Sequence, residues 1–114
     1  MSLSPDKKQE LREMSRMEAL RVVREVLATY RARKASGRIT VDIRSGKAIW
    51  VKPVIVDVER SGSFPDEIEV LRGIDEILRE FQGKGISGIV ALVVCQGRGV
   101  GIEKVVELEK VRVG

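Results

Sequence analysis

Seven cations crowd a short window of this sequence, between positions 31 and 52, in which Asp42 is the only acid. Such a concentration of positive charge attracts polyanions, phosphate groups above all. Trp50 lies in the same window, and an indole beside cations can stack on an unpaired base. The candidate nucleic-acid-binding residues are therefore Arg31, Arg33, Lys34, Arg38, Arg44, Lys47, Trp50 and Lys52. The alternative is a solvated surface laced with ion pairs, with Trp50 buried beneath a helix.

A glycine-rich stretch at residues 96–101 follows an apolar run and is the second place where chemistry could occur. Backbone amides in such a loop can bind a phosphate, which makes Gly97, Arg98 and Gly99 the candidate anion-binding residues. The dinucleotide-binding fingerprint is not met, because Ile102 occupies the place of its third glycine. The stretch also lacks the Gly-Lys-Ser/Thr of a P-loop. The alternative is a hairpin connection without a ligand.

Part of this stretch resembles a segment of a known family. Residues 97–108, which read Gly-Arg-Gly-Val-Gly-Ile-Glu-Lys-Val-Val-Glu-Leu, are similar to the Gly-Arg-Ala-Ile-x-Lys-Ala-Val segment of Alba-type archaeal nucleic-acid-binding proteins. In that family the segment joins a strand to a helix and lies near the nucleic acid. The resemblance therefore implies a helix after the glycines. It covers this segment alone, and we do not assign the chain to the family.

Residues that could support catalysis or bind a metal are few. Cys95 ends an apolar run, and the sequence holds no histidine to activate it, so we interpret it as a structural thiol. One cysteine and no histidine exclude a Cys/His metal site. The acid pairs at 57 and 59 and at 66 and 67 are interpreted as solvated surface acids. We expect no catalytic residue, no metal and no cofactor.

Length and composition indicate one small domain with a core of its own. The 114 residues are 43% hydrophobic and 33% charged, and we expect a loosely held lead at residues 1–14 and a single domain at residues 15–114. The longest apolar run is too short to cross a membrane, and a lone cysteine fits a reducing compartment, so we expect a cytoplasmic protein. Abundant charge with few amide side chains is typical of hyperthermophile proteins.

Hydrophobic periodicity predicts the order α-β-β-α-β-β, an α+β fold with two main helices and one mostly antiparallel sheet. Ser15 and Glu18 have the spacing of a capping box at the start of the first helix, which we expect to stop at Gly37. The segment from 102 to 113 can be read as strand or helix, and its four valines favour a strand. The two halves differ in charge and turn residues, and we expect no internal repeat.

The first hairpin has two possible registers. A three-residue loop at 44–46 with Gly46 left-handed gives one apolar face, whereas a two-residue loop pairs Val41 with Trp50. Because a slip of one residue inverts every side chain, we expect the first register. It buries Ile39, Val41, Ile43, Ile49 and Val51 together, opposing Ile43 to Lys47, Val41 to Ile49 and Ile39 to Val51. Trp50 then shares the other face with Arg38, Thr40, Asp42 and Lys52.

Assembly is the remaining expectation. The uninterrupted apolar run at 89–95 predicts a central strand that must be covered on both faces, whereas Pro53 marks a bulge or a sheet edge. Two helices cannot cover the whole sheet, so we expect a homodimer through a strand edge or the N-terminal lead. The sequence thus predicts a small, archaeal-type, non-catalytic binding or assembly module. The alternative function is sequence-nonspecific binding of DNA or RNA through residues 31–52.

Overall fold

A computed structural model describes residues 13–58 and 66–107 of the chain. The elements are α1 (Arg16–Arg33), β1 (Gly37–Arg44), β2 (Lys47–Ile55), α2 (Glu67–Lys84), β3 (Ser87–Cys95) and β4 (Arg98–Glu107). The four strands form one antiparallel sheet in the order β2-β1-β3-β4. The predicted α+β class and element order are confirmed. Residues 1–12 of the expected lead lie outside the described residues.

Local signals define the helix ends. Ser15 caps α1 in the predicted capping box, accepting from the Glu18 amide while the Glu18 carboxylate accepts from the Ser15 amide. The helix ends at Arg33 with Lys34 left-handed at φ 52°, so the predicted stop at Gly37 is wrong. Gly37 instead begins β1, where a Cβ would lie 2.0 Å from the Val54 carbonyl oxygen. A glycine at this position therefore allows β1 to approach β2 closely.

One hydrophobic core lies between the helices and one face of the sheet. Alternate residues of β1 and β3 point into it, while the helices supply its other side. The largest fully buried side chains include Phe81, Ile39, Ile74, Leu92 and Val23. Both helices contribute to this same core, so within the part of the chain that the structure describes the opposite face of the sheet carries no helix, and we call it the helix-free face.

The predicted hairpin register is wrong, although it places Trp50 correctly. The turn has two residues, Ser45 and Gly46, and the ladder then shifts by one residue at Ile49. Val41 therefore opposes Val51, and Asp42 opposes Trp50. The bulge restores the apolar alternation that a two-residue turn alone would have broken, which sequence periodicity cannot distinguish from a longer loop. Gly46 has the expected positive φ, at 83°.

The last described element is a strand, as its valines predicted. β4 pairs with β3 from Arg98 to Glu107, and the helix implied by the Alba-type resemblance is absent from this stretch. Its bulge lies at Val100, opposite Val93 and Val94, whereas the expected irregularity near Glu109 lies outside the described residues. Pairing with the central strand β3 along this segment is the reason that it forms a strand and not a helix.

Residues 15–55 and 66–106 form an internal repeat, so the expectation that the chain has none is wrong. The first residues of the helices, Arg16 and Glu67, are 51 positions apart, and so are their last residues, Arg33 and Lys84. The same shift relates the two hairpin turns and the two bulges. It also relates Thr40 to Ala91, which are paired at the centre of the β1–β3 ladder. Each half is an αββ unit, and a pseudo-twofold axis passes between them.

The repeat is faint in the sequence. When residues 15–55 are aligned with 66–106, nine of the 41 pairs are identical. These are Glu18/Glu69, Leu20/Leu71, Arg21/Arg72, Glu25/Glu76, Leu27/Leu78, Ser36/Ser87, Gly37/Gly88, Gly46/Gly97 and Val54/Val105. Of the other 32 pairs, 12 join two different apolar residues, and the remainder change in polarity, charge or size.

Hydrogen bonds from the hairpin turn of each unit hold the two units together. The Gln96 amide donates to the Ser36 hydroxyl at 2.9 Å, and the Ser45 amide donates to the Ser87 hydroxyl at 2.9 Å. The next amide in each turn, of Gly97 or Gly46, donates to a carbonyl of the other unit at 2.7 or 2.8 Å. Identical serines and glycines thus recur because each unit depends on them to hold the other.

Candidate binding surfaces

The helix-free face of the sheet is one surface on which a ligand or partner could lie. Across it runs a row of four residues, one from each strand: Trp50, Asp42, Ile89 and Val105. Trp50 is half-buried and lies on the face predicted for it, beside Lys52 and away from the helices. On this face the first unit's central strand β1 carries polar or charged residues, whereas the equivalent positions of β3 in the second unit are Ile89, Ala91, Val93 and Cys95.

Three of the seven cations in the 31–52 window form ion pairs with distant acids. Arg31 pairs with Glu67, Lys47 with Glu13 at 3.4 Å, and Arg38 with Glu103 at 2.8 Å. The hydrogen bond and charge of Glu103 raise the pKa of Arg38, and those of Arg38 lower the pKa of Glu103. The Arg38–Glu103 pair also lies across β3, where it shields Ala91.

The other four cations, Arg33, Lys34, Arg44 and Lys52, have no ion pair with any residue of the described ranges 13–58 and 66–107. The fold does not bring them all together. Arg33 and Lys34 precede the start of β1, whereas Arg44 ends it, and eight strand residues span roughly 25 Å. Of these four cations, only Arg44 and Lys52 lie on the helix-free face with Trp50.

The candidate anion site at Gly97, Arg98 and Gly99 is a hairpin turn that already binds a carboxylate of its own chain. The Gly99 amide donates to Glu67 Oε2 at 2.8 Å, and the Gly97 amide donates to the Ala35 carbonyl. Burial opposes ionisation of Glu67, but the Gly99 amide and the charges of Arg31 and Arg98 outweigh it and lower its pKa. These amides therefore stabilise the fold by bonding to groups of the same chain.

The candidate nucleophile and acids also have structural roles where the structure describes them. The buried Cys95 thiol donates to the Val58 carbonyl at 3.6 Å, within a small cluster with Val93 and Val100. Asp66 caps α2 by accepting from the Ile68 amide at 3.0 Å. Glu59 lies outside the described residues, and Asp57 is exposed on the connection after β2. Among the described residues no group of three or more acids and cysteines could bind a metal.

The two sheet edges differ although they occupy equivalent positions in the repeat. The β2 edge carries Pro53, which has no amide hydrogen. Met14 also pairs with this edge, because its amide donates to the Ala48 carbonyl at 2.7 Å. At the β4 edge the place of Pro53 is taken by Lys104, whose amide remains a donor. Sequence reasoning missed this edge, and the 51-residue shift was the signal that could have found it.

Exposed apolar side chains cluster beside the β4 edge. Ile89 and Val105 are paired across β3 and β4 on the helix-free face and are 41% and 62% exposed. Val106, the next residue along β4, is 37% exposed and lies on the helix side of the sheet. An edge strand with apolar residues and unpaired backbone groups is a template for another strand.

Comparison with known protein families, with curated proteins and with solved structures finds no match to this chain. Neither helix of the described part is long and apolar enough to cross a membrane.

Proposed function

We propose that this protein is a non-catalytic assembly module that forms a homodimer by pairing the β4 strands of two copies. The observation that carries the proposal is the difference between two equivalent edges. The β2 edge is protected by Pro53 and Met14, whereas no residue of the described ranges 13–58 and 66–107 pairs with the outer edge of β4, which lies next to exposed valines. Natural sheets protect an edge that is to stay unpaired, so an unprotected one favours a partner.

Antiparallel pairing about a twofold axis would join the two sheets into one of eight strands. Ile89 and Val105 of each copy would then meet those of the other on the helix-free face. Burying their exposed fractions in both copies contributes about 3–6 kcal/mol. Association costs at least about 4 kcal/mol, so strand hydrogen bonds must supply the remainder. A dissociation constant of about 100 μM corresponds to about 5.5 kcal/mol, so the strand hydrogen bonds must contribute at least about 4–7 kcal/mol for the dimer to predominate at that concentration.

The repeat itself supplies the test variant. Pro53 is accommodated in β2, so Lys104→Pro at the equivalent position keeps the β4–β3 ladder and removes one outward amide. Light scattering at about 100 μM should give the mass of a dimer for the native chain and of a monomer for Lys104→Pro. Lys104→Ala is the matched control. It loses only the exposed ion pair to Glu80 and should remain a dimer.

A second variant covers the case in which the proline disturbs folding. Val105→Glu places a charge on the exposed apolar pair and should also give a monomer with a native circular dichroism spectrum. Ile55→Glu is its control, because Ile55 is 65% exposed but lies on β2. A native chain that is monomeric at this concentration, or a folded Val105→Glu that still dimerises, would contradict the proposal.

Trp50 favours a second candidate function, the binding of single-stranded nucleic acid without sequence preference. It lies half-exposed on a sheet face, with Arg44 and Lys52 on the same face. Stacking of a base on an aromatic side chain that projects from an open sheet is a common mode of single-strand recognition.

A titration with labelled single- and double-stranded oligonucleotides tests this second function. With two phosphate contacts, affinity should fall about tenfold between 50 and 200 mM salt. Arg44→Glu with Lys52→Glu should abolish binding, whereas Arg21→Glu with Lys84→Glu, which changes the net charge equally on the helices, should not. Absence of binding by the native chain at low salt would exclude this function.

A further inference from the structure

The helices carry a second exposed apolar surface, on the side away from the sheet. A groove between α1 and α2 is lined by four apolar residues, Met17, Leu20, Ile68 and Leu71, which are two equivalent pairs of the repeat. Met17 is 66% exposed and Ile68 is 65% exposed. The pseudo-twofold axis thus passes through the groove, and both units contribute the same apolar positions to it.

The rim of this groove is basic. Four arginines line it, Arg16, Arg24, Arg72 and Arg79, and Asp75 is the only acid among the lining residues. Arg16 and Arg79 share that one carboxylate, and Arg72 pairs with Glu69 at 3.1 Å. For Arg24 the described residues offer no ion-pair partner. The lining therefore carries an excess of three positive charges around an apolar floor.

This distribution of charge selects the kind of partner. A second copy of the chain would bring its own four arginines against these, and like charges in a closed interface oppose association. An amphipathic helix with acidic residues beside its apolar stripe complements both features. Its apolar residues, spaced three and four apart, would contact Met17 and Ile68, and its carboxylates would meet the arginines. We propose that the groove between α1 and α2 is a docking site for an acidic amphipathic helix of another protein.

The probe for this site is a labelled peptide of about 18 residues, long enough to be helical, with Leu at helical spacing and Glu elsewhere. Fluorescence anisotropy should show binding of this peptide to the native chain that weakens with added salt. The same peptide with Lys in place of Glu should not bind. Ile68→Glu and Arg24→Glu should each weaken binding at least about tenfold, a loss of about 1.4 kcal/mol.

The variants are designed to leave the fold intact. Ile68 lies in the first turn of α2, where an added acid is favourable to the helix dipole. Ile55→Glu is the matched control, since Ile55 has the same 65% exposure but lies on β2. The affinity of this control variant for the peptide should equal that of the native chain. It also shows that a loss at Ile68 does not come from surface charge alone.

Four outcomes would overturn the proposal. They are no binding of the acidic peptide, equal binding of the basic peptide, native affinity in both groove variants, and a change of oligomeric mass in Ile68→Glu, which would make the groove a contact between copies. A further experiment measures binding of the chain to vesicles of an anionic phospholipid. Binding to vesicles that Ile68→Glu abolishes, without binding to the peptide, would assign the groove to a membrane surface instead.

Discussion

Alanine substitutions at the two turn glycines, Gly46 and Gly97, test whether the halves share one geometry. Their φ angles are 83° and 81°, a left-handed conformation that costs an L-residue roughly 1–2 kcal/mol. An added Cβ would also lie 2.9 Å from the Phe81 carbonyl oxygen at Gly46 and 2.7 Å from the Arg31 Cα at Gly97. Close contact with backbone adds about 1–3 kcal/mol, so each variant should lose about 2–5 kcal/mol.

Two other glycines serve as controls that separate the two contributions. Gly85 has a φ of 63° but no atom within 4 Å of an added Cβ, so Gly85→Ala should cost only the conformational part, about 1–2 kcal/mol. Gly83 lies within α2, also without a neighbour within 4 Å. Gly83→Ala should therefore stabilise the protein by about 0.5–1 kcal/mol.

The assay is chemical and thermal unfolding followed by circular dichroism. Each kcal/mol corresponds to roughly 4–8 °C in Tm for a domain near this size, so both turn variants should melt at least about 8 °C below the native chain. The reasoning is refuted at Gly46 or Gly97 if its substitution costs no more than Gly85→Ala. The two losses should differ by no more than about 2 kcal/mol, the spread of the contact penalty, and a larger difference would show that the units do not share the turn geometry.

Further predictions concern the contacts between the units. Ser36→Ala and Ser87→Ala should each lower the free energy of unfolding by about 1 kcal/mol, equally and additively, because each removes one acceptor from an equivalent turn amide. If the two variants lose unequal free energies of unfolding in urea, the two serine hydrogen bonds are not equivalent and the prediction is wrong. Glu67 has a lowered pKa, so its stabilising contribution is present above the ordinary carboxyl range and is lost as the pH falls through the folded-state pKa. Glu67→Gln should therefore be less stable than the native chain near neutral pH, with the difference vanishing in acid. A constant difference from about pH 7 to about pH 3 would argue against a role for the carboxylate charge.

Short-range signals allowed most of the elements to be predicted. The capping box at Ser15 and Glu18 involves residues three apart, and the alternation in β1 depends only on neighbours. Trp50 was assigned to the correct face for the wrong reason, since a bulge at Ile49 had the effect expected of a longer loop. The repeat was missed because only nine of 41 aligned pairs are identical, and packing constrains the 12 apolar pairs among the others in polarity and not in residue type.

The sequence by itself determined the two amphipathic helices, the strands and the side of the sheet on which Trp50 lies, because these follow from residues within a few positions of one another. Tertiary structure decided which cations are available. Arg31 and Arg38 are neutralised by acids 36 and 65 residues away, which strand pairing and helix docking bring to them. It also decided which edge Pro53 protects, because a proline protects an edge only once its strand, β2, is placed outermost. Contacts between distant residues depend on the register of the whole sheet, and no local pattern contains that register.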